Sequence, residues 1–396
     1  MVLRFITSGE SHGKGLIGIV EQMPAGVEIG EEDINRELQR RQKGYGRGGR
    51  MKIESDRVEI FSGIRNGYSL GTPISYLIRN QDFENWQEIM APGECKRHEE
   101  KIVNRPRPGH ADLAGAMKYN QSDMRNILER ASARETAARV AAGAMFKKLL
   151  ESFNIRVYSQ VKSIGPVQVK TWQVNEQNWQ DLREKVDESP LHSVDTEKEP
   201  LMREAIDQAR SKGESLGGSF EVGVIGVPPG LGSYINWESR LDSQICALLM
   251  SIPAIKAAEI GEGIANSTEP GSWVHDEIFY SEEGGLHRKS NRAGGIEGGI
   301  SNGETVWARA YMKPIPTLYK PLTSVNTKLW QEEKADIERS DICAVPAAAI
   351  VGESMLAFAI ARAFLEKFSG DSLDEIRKSY TTYQAYLKRV WKWEKI

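Results

Sequence analysis

Cysteine is scarce in this sequence. Cys95, Cys246 and Cys343 are the three in 396 residues, far apart and odd in number. That excludes a disulfide framework and suits reduced thiols in the cytoplasm. Histidine is nearly as rare. Of six, His98, His192, His275 and His287 lack metal-ligand spacing and read as surface or structural, and no His-Glu-x-x-His, Cys-x-x-Cys or Walker motif occurs. No catalytic metal is expected. No apolar run approaches the roughly 18 residues of a membrane span, and residues 1–7 do not show signal-peptide order. Neither charge sign dominates: the net charge is −3 and the pI about 6.2. A global basic field for nucleic acid is therefore absent. The rest is ordinary for a globular protein, with 40% hydrophobic and 27% charged residues. The length allows two typical domains or one large one.

Glycine, by contrast, is abundant. The 37 glycines cluster at 44–49, 213–232, 261–271 and 284–303, as in loops that pass close to a ligand or to other backbone. The stretch Ser8-Gly-Glu-Ser-His-Gly13 lies between two short apolar segments, 2–6 and 16–20. It reads as a tight loop between strands that presents Glu10, Ser11 and His12. Residues 31–42 read as a helix, acidic at the start and basic at the end. Strands are expected at 57–64, 73–79, 155–169 and 305–312, and one long Ala-rich helix at 123–153. Residues 171–212 are polar and read as a peripheral helical insertion.

An internal echo gives the chain its plan. Gly9-Glu-Ser-His-Gly13 recurs as Gly213-Glu-Ser-Leu-Gly217, 204 positions later, and Pro24 and Gly26 recur in register as Pro228 and Gly230. Each copy continues into an apolar strand and then a helix, 31–42 and 238–250. Duplication accounts for this better than chance. It predicts one large domain over 1–396, with halves 1–170 and 213–370, the polar insertion 171–212 and a C-terminal helix 371–391. The repeat is also a control. His12 becomes Leu216 in the second copy, so the fold does not need an imidazole there.

Three segments can hold anions. Eight basic residues lie between Arg36 and Arg57, interleaved with glycines whose N–H groups are further donors. Arginine predominates, which favours a bidentate grip on carboxylate or phosphate. In Arg105-Pro-Arg-Pro-Gly-His-Ala-Asp112, two prolines stiffen the backbone around Arg107, and Gly109 frees the turn before His110. In Glu129-Arg-Ala-Ser-Ala-Arg134, a helix would put Arg130 and Arg134 on one face. Lys313-Pro-Ile-Pro-Thr317 is a stiff turn after a strand, and Gly294-Gly-Ile-Glu-Gly-Gly299 is a loop without dinucleotide-fingerprint spacing. Read alone, these features leave open a polyanion- or RNA-binding protein and an NADPH-dependent flavin reductase.

Taken in order over nearly the whole chain, these motifs, with Met250-Ser-Ile-Pro-Ala254 and Arg339-Ser-Asp341, resemble the chorismate synthase family. The resemblance implies an α+β fold, a β-α-β sandwich with an internal pseudo-twofold and long helices packed between antiparallel sheets, usually in a homotetramer. It implies a lyase that converts 5-enolpyruvylshikimate-3-phosphate to chorismate by anti-1,4 elimination with reduced FMN, although there is no net redox change. His12 would protonate the departing phosphate, His110 would deliver a proton to the flavin, and Asp341 would help proton removal. Arg41, Arg47, Arg50, Arg107 and Arg134 would hold phosphate and carboxylates, and Arg41 and Arg47 also match positions assigned to NADPH. The flavin would contact Arg130, Ala131, Ser132, Pro253, Ala254, Gly298, Lys313, Pro314, Ile315, Pro316, Thr317 and Arg339. Pro253 replaces a polar residue of many members, and Ile342 a proline that some carry after Arg-x-Asp.

Overall fold

The computed structural model describes residues 2–48, 55–95 and 97–394. The stretch Ser8–Gly13 spans the turn of a hairpin between β1 (Arg4–Gly9) and β2 (Gly15–Glu21). With β3 (Val58–Ile60) and β4 (Ile74–Arg79) they form an antiparallel sheet in the order β1-β2-β4-β3. Its inner face alternates Leu16, Gly18 and Val20 with exposed Ile17 and Ile19, the period of two that a half-buried strand requires. A second antiparallel sheet holds β5 (Arg156–Ile164), β6 (Gly218–Ile225), β7 (Ile255–Ile260) and β8 (Val306–Met312). Its order is β7-β8-β6-β5, with Val167–Gln168 at the edge.

Helices fill the space between the sheets. The main ones are α1 (Glu31–Gln42), α2 (Asp112–Tyr119), α3 (Arg125–Ala131), α4 (Thr136–Glu151), α5 (Trp179–Glu188), α6 (Glu199–Ser211), α7 (Leu241–Met250), α8 (Val345–Lys367) and α9 (Leu373–Trp391). α4 packs on the first sheet and α8 on the second, and the two helices also pack on each other. Gly143 permits this. A Cβ there would lie 2.2 Å from that of Ser354, so the small residue lets the backbones approach. α8 is long and apolar enough to cross a membrane, but it is buried at the protein's centre. α9 starts at a capping box, Ser372 with Glu375.

Three expectations are corrected. The single helix over 123–153 is broken at Ser132, whose extended backbone (φ −64°, ψ 141°) separates α3 from a short turn and α4. The Ser132 hydroxyl accepts from the Arg134 N–H at 3.3 Å, a local bond that competes with helix continuation. Arg130 and Arg134 therefore do not share a helix face. Residues 156–164 pair in the second sheet.

The insertion is not peripheral either. Leu182 and Val186 of α5 pack with Tyr158 of β5, and polar groups of 183–192 enter a buried charge cluster. Glu353, fully buried on α8, accepts from both Arg40 Nη atoms at 2.8 and 2.9 Å, from Lys147, and from Ser159 Oγ at 2.6 Å. Glu37 accepts from Arg40, Lys147 and Arg183, and Asp187 from Arg40 Nε. Burial alone would raise the Glu353 carboxyl, but Arg40 and Lys147 hold it well below its usual value. Removing one partner of such a set costs about 3–5 kcal/mol.

His192 belongs to this cluster, with Nε2 2.7 Å from Ser159 Oγ. Burial, and then the charge of Arg40, push its imidazole down to about 4 despite the nearby Glu353 and Asp187. An imidazole kept neutral in the fold and free to protonate when unfolded lowers stability as pH falls from about 6.5 towards 4. The expected loss between pH 7 and 5 is on the order of 1–2 kcal/mol. His192→Asn, which tolerates the positive φ at this position, should flatten that dependence in urea unfolding at the two pH values. An unchanged slope would assign the dependence to other groups.

Candidate active site

A cavity of about 960 Å³ opens where the β1–β2 turn meets the loops after α1, before α2, after α7 and before α8. Among the described residues, eight Lys and Arg side chains and three carboxylates line it, so it favours a small polyanion.

His12 is 7% exposed and lines the cavity. Its Nδ1 lies 2.9 Å from Glu129 Oε1, and its backbone N–H donates to Glu129 Oε2 at 2.8 Å. The imidazole stacks on Trp86, with centroids 4.0 Å apart and planes 24° apart. Arg125 donates to Glu129 at 2.9 Å, and its guanidinium carbon lies over the Trp86 ring, 5.1 Å from the centroid. Burial would raise the Glu129 carboxyl, but hydrogen bonds and charge from His12 outweigh it and lower it. The anion thus holds the ring by Nδ1 and fixes its tautomer.

The second imidazole repeats this device. His110 Nδ1 lies 2.5 Å from Asp112 Oδ1 and 3.0 Å from Arg107 Nη2. Nδ1 cannot donate to one and accept from the other, so the anionic carboxylate takes the proton's bond and Arg107 is a charged neighbour. Asp112 is fully buried and also accepts from Arg107 Nε at 2.8 Å and Nη2 at 3.0 Å. Burial would raise its carboxyl, but His110 and Arg107 bring it far below its usual value. Arg107 Nη1 donates to Thr317 Oγ1 at 2.9 Å. Its guanidinium is thus largely committed to holding the wall, more than the sequence suggested.

Three more arginines converge on two carboxylates. Arg134 Nη1 donates to Asp56 at 2.5 Å, and Arg41 donates to Asp56 at 3.4 Å, to Thr136 at 3.0 Å and to the Ala133 carbonyl at 3.1 Å. Arg47 pairs with Asp341 at 3.1 Å, and Asp341 also accepts from the Gly48 N–H at 2.6 Å. Burial pushes the Arg41 guanidinium down to about 10; Asp56 opposes this, while Arg47 and Arg134 add to it. An anion between these three would relieve that repulsion. Arg50 lies outside the described residues.

The far wall is apolar. Ile252, Pro253 and Ala254 lie there with Met312, Ile315, Pro316, Ala347 and Val351. Ala254 has φ +69°, a left-handed conformation that costs a non-glycine residue about 1 kcal/mol or more. Its carbonyl accepts from the Lys313 N–H at 3.0 Å, which ties the turn after α7 to the one after β8. Ala131, Ser132, Lys313, Thr317 and Arg339 also line the cavity, and Arg339 donates to Asp82 at 2.7 Å. Arg130, Pro314 and Gly298 do not. Arg130 is exposed and donates to the Thr7 and Gly9 carbonyls, and Gly298 sits at the tip of the hairpin of Ile296–Glu297 and Ile300–Ser301.

Sequence reasoning missed Glu129, Asp112, Asp56, Trp86 and Arg125 as partners. The spacing His110-Ala-Asp112 was a signal for one pair. For His12 the partner is distant in the chain, with Glu129 117 positions away.

Comparison with known proteins agrees with this geometry. The family profile described as chorismate synthase matches residues 3–365. The chain belongs to the chorismate synthase family. It is 99% identical over 396 residues to the chorismate synthase of Syntrophomonas wolfei subsp. wolfei, with all of both chains covered. It is 53% identical to that of Aquifex aeolicus, covering 98% of each. A solved structure titled "Crystal Structure of Chorismate Synthase" superposes with a TM-score of 0.80 at 44% identity, covering 98% of this chain and 99% of that one. The enzyme converts 5-enolpyruvylshikimate-3-phosphate to chorismate, the final step of the shikimate pathway. The fold is the mixed α+β fold of that family, which uses reduced FMN.

Glu129→Gln keeps the shape but removes the charge that holds His12. Turnover should fall by about 10² or more, and the pH dependence of kcat should change while the far-UV circular dichroism stays the same. Normal turnover with an unchanged profile would show that the contact is irrelevant to catalysis.

Proposed function

We propose that this cavity binds 5-enolpyruvylshikimate-3-phosphate with its phosphate towards His12, and that His12 is the acid for the leaving group. The observation that carries this is one imidazole, backed by a buried carboxylate and an indole, in the same cavity as Arg41, Arg47, Arg107 and Arg134. Loss of phosphate from one end of the allylic system and of a ring hydrogen from the other forms one double bond with no net redox change. Arg41, Arg47 and Arg134, together with Arg50 outside the described residues, neutralise phosphate and carboxylates. His12 gives its proton to the departing oxygen, so phosphate leaves with less charge. His110, held by Asp112, is a second imidazole able to hold or pass a proton. Asp341 pairs with Arg47 and would help remove the ring proton.

The apolar wall suits a flat ring, and the volume admits a flavin beside one small substrate. Reduced FMN held there would supply electron density to a substrate ring that develops positive character. Ala131, Ser132, Pro253, Ala254, Lys313, Ile315, Pro316, Thr317 and Arg339 would hold it. Arg130, Pro314 and Gly298 would reach it only after rearrangement or from another copy. NADPH as reductant would meet Arg41 and Arg47, so reductant and substrate would compete for the same donors. Free cysteines support a cytoplasmic setting.

We infer also that the two halves are a duplication related by a pseudo-twofold. The chain order β1, β2, α1, β3, β4, α4 matches β5, β6, α7, β7, β8, α8, and the sheet orders correspond. The first half then ends near Asn154 instead of 170. Ser69 Oγ donates to the Pro24 carbonyl and accepts from the Val27 N–H, just as Ser301 does with Pro228 and Leu231. A homotetramer is supported by the outer face of the first sheet. Exposed Ile6, Ile17 and Ile19 lie there between the Arg4–Glu21 and Arg79–Glu59 pairs.

Under anaerobic conditions with substrate, phosphate release is expected with prereduced FMN and not with oxidised FMN. His12→Ala should lower it by about 10²–10⁴ with the fold intact, and near-normal turnover would remove the acid role. Ile17→Glu should give smaller species in light scattering after gel filtration. An unchanged mass would place the interface elsewhere.

A further inference from the structure

The loop that carries Arg47 is held through contacts with distant segments. Gly44 and Gly46 have φ +137° and +88°, conformations open to glycine and costly for other residues. Tyr45, between them, is the one large side chain in that turn, and it is gripped from outside the cavity. Its hydroxyl donates to Asp207 at 2.7 Å, and its N–H donates to the Pro190 carbonyl at 2.8 Å. The guanidinium carbons of Arg203 and Arg210 lie 4.9 and 5.8 Å from its ring centroid, within range of cation–π attraction. All four partners belong to the 171–212 insertion. On the other side, the Gly46 carbonyl accepts from the Ile342 N–H at 2.8 Å, next to Asp341, the ion-pair partner of Arg47. A Cβ at Gly46 would lie 3.1 Å from Ile206 and 3.3 Å from Cys343, so the loop is wedged between α6 and the start of α8.

We propose that Tyr45 is a positioning residue for Arg47. The insertion clamps the tyrosine, and through it sets the loop so that Arg47 reaches both Asp341 and the anionic substrate. This rests on the reading of Arg47 as a substrate-binding residue. The insertion, itself anchored by Arg183, Asp187 and His192 in the core charge cluster, is then part of the substrate site without touching substrate.

The test is a double-mutant cycle on the full-length enzyme with prereduced FMN, reading KM and kcat for 5-enolpyruvylshikimate-3-phosphate. Tyr45→Ala should raise KM roughly 10- to 100-fold with a smaller effect on kcat. Tyr45→Phe, which keeps the ring between Arg203 and Arg210, should restore most of the loss. In an Arg47→Ala background, Tyr45→Ala should add less than about twofold. Additive effects of the two substitutions would overturn the proposal, because Tyr45 would then act independently of Arg47. If Arg47→Ala alone leaves KM unchanged, the substrate reading of Arg47 fails, and this proposal fails with it. Should Tyr45→Ala not fold, Arg203→Ala, which takes the nearer guanidinium from the ring, carries the test in the same cycle by the same criteria.

Discussion

Buried carboxylates behind the cavity wall govern this site. Glu129 fixes His12, Asp112 fixes His110 and Arg107, and Asp56 draws together Arg41 and Arg134. A cluster of arginines without these anions would repel itself apart. With them, each cation or imidazole has a set direction before a ligand arrives, which is what electrostatic preorganisation requires. The anions stay largely behind the wall, so the surface offered to a substrate remains predominantly positive.

That arrangement depends on a broken helix. The extended backbone at Ser132 turns Arg134 into the interior towards Asp56 and Asn80 while Arg130 stays outside. Just before the break, Glu129 points at His12, and the Ser11 and Ser132 hydroxyls meet at 3.1 Å. A continuous helix over 123–153 would send these side chains along a 3.6-residue spiral, and no single cavity could collect them. The local cost is a lost turn of helix, offset by the buried hydrogen bonds that the break makes possible.

The echo between residues 9–13 and 213–217 clarifies what is structural and what is chemical. Ser215, the counterpart of Ser11, donates to the Ile315 carbonyl, and the N–H of Leu216, which replaces His12, donates to the Ile342 carbonyl. The segment 213–217 therefore supports two loops of the cavity. The first motif presents an imidazole, and the echoed motif braces the wall.

Much of this was legible in the chain. Helix 31–42, the strands near 74–79 and 306–312, and the C-terminal helix follow from periodicity, charge placement and capping residues, which are local properties. The motif residues His12, Arg41, Arg47, Arg107, His110 and Asp341 could be chosen from their types and their glycine and proline neighbours, and the structure gathers them in one cavity. What only the tertiary structure decided is which carboxylate serves which group, where the Ala-rich helix breaks, and that the polar insertion reaches the core. The pairings of Glu129 with His12, Glu353 with Arg40 and Glu37 with Arg183 join residues more than 100 positions apart. No local pattern encodes them, because a buried Glu and an exposed one read alike until the surrounding helices and sheets remove the water.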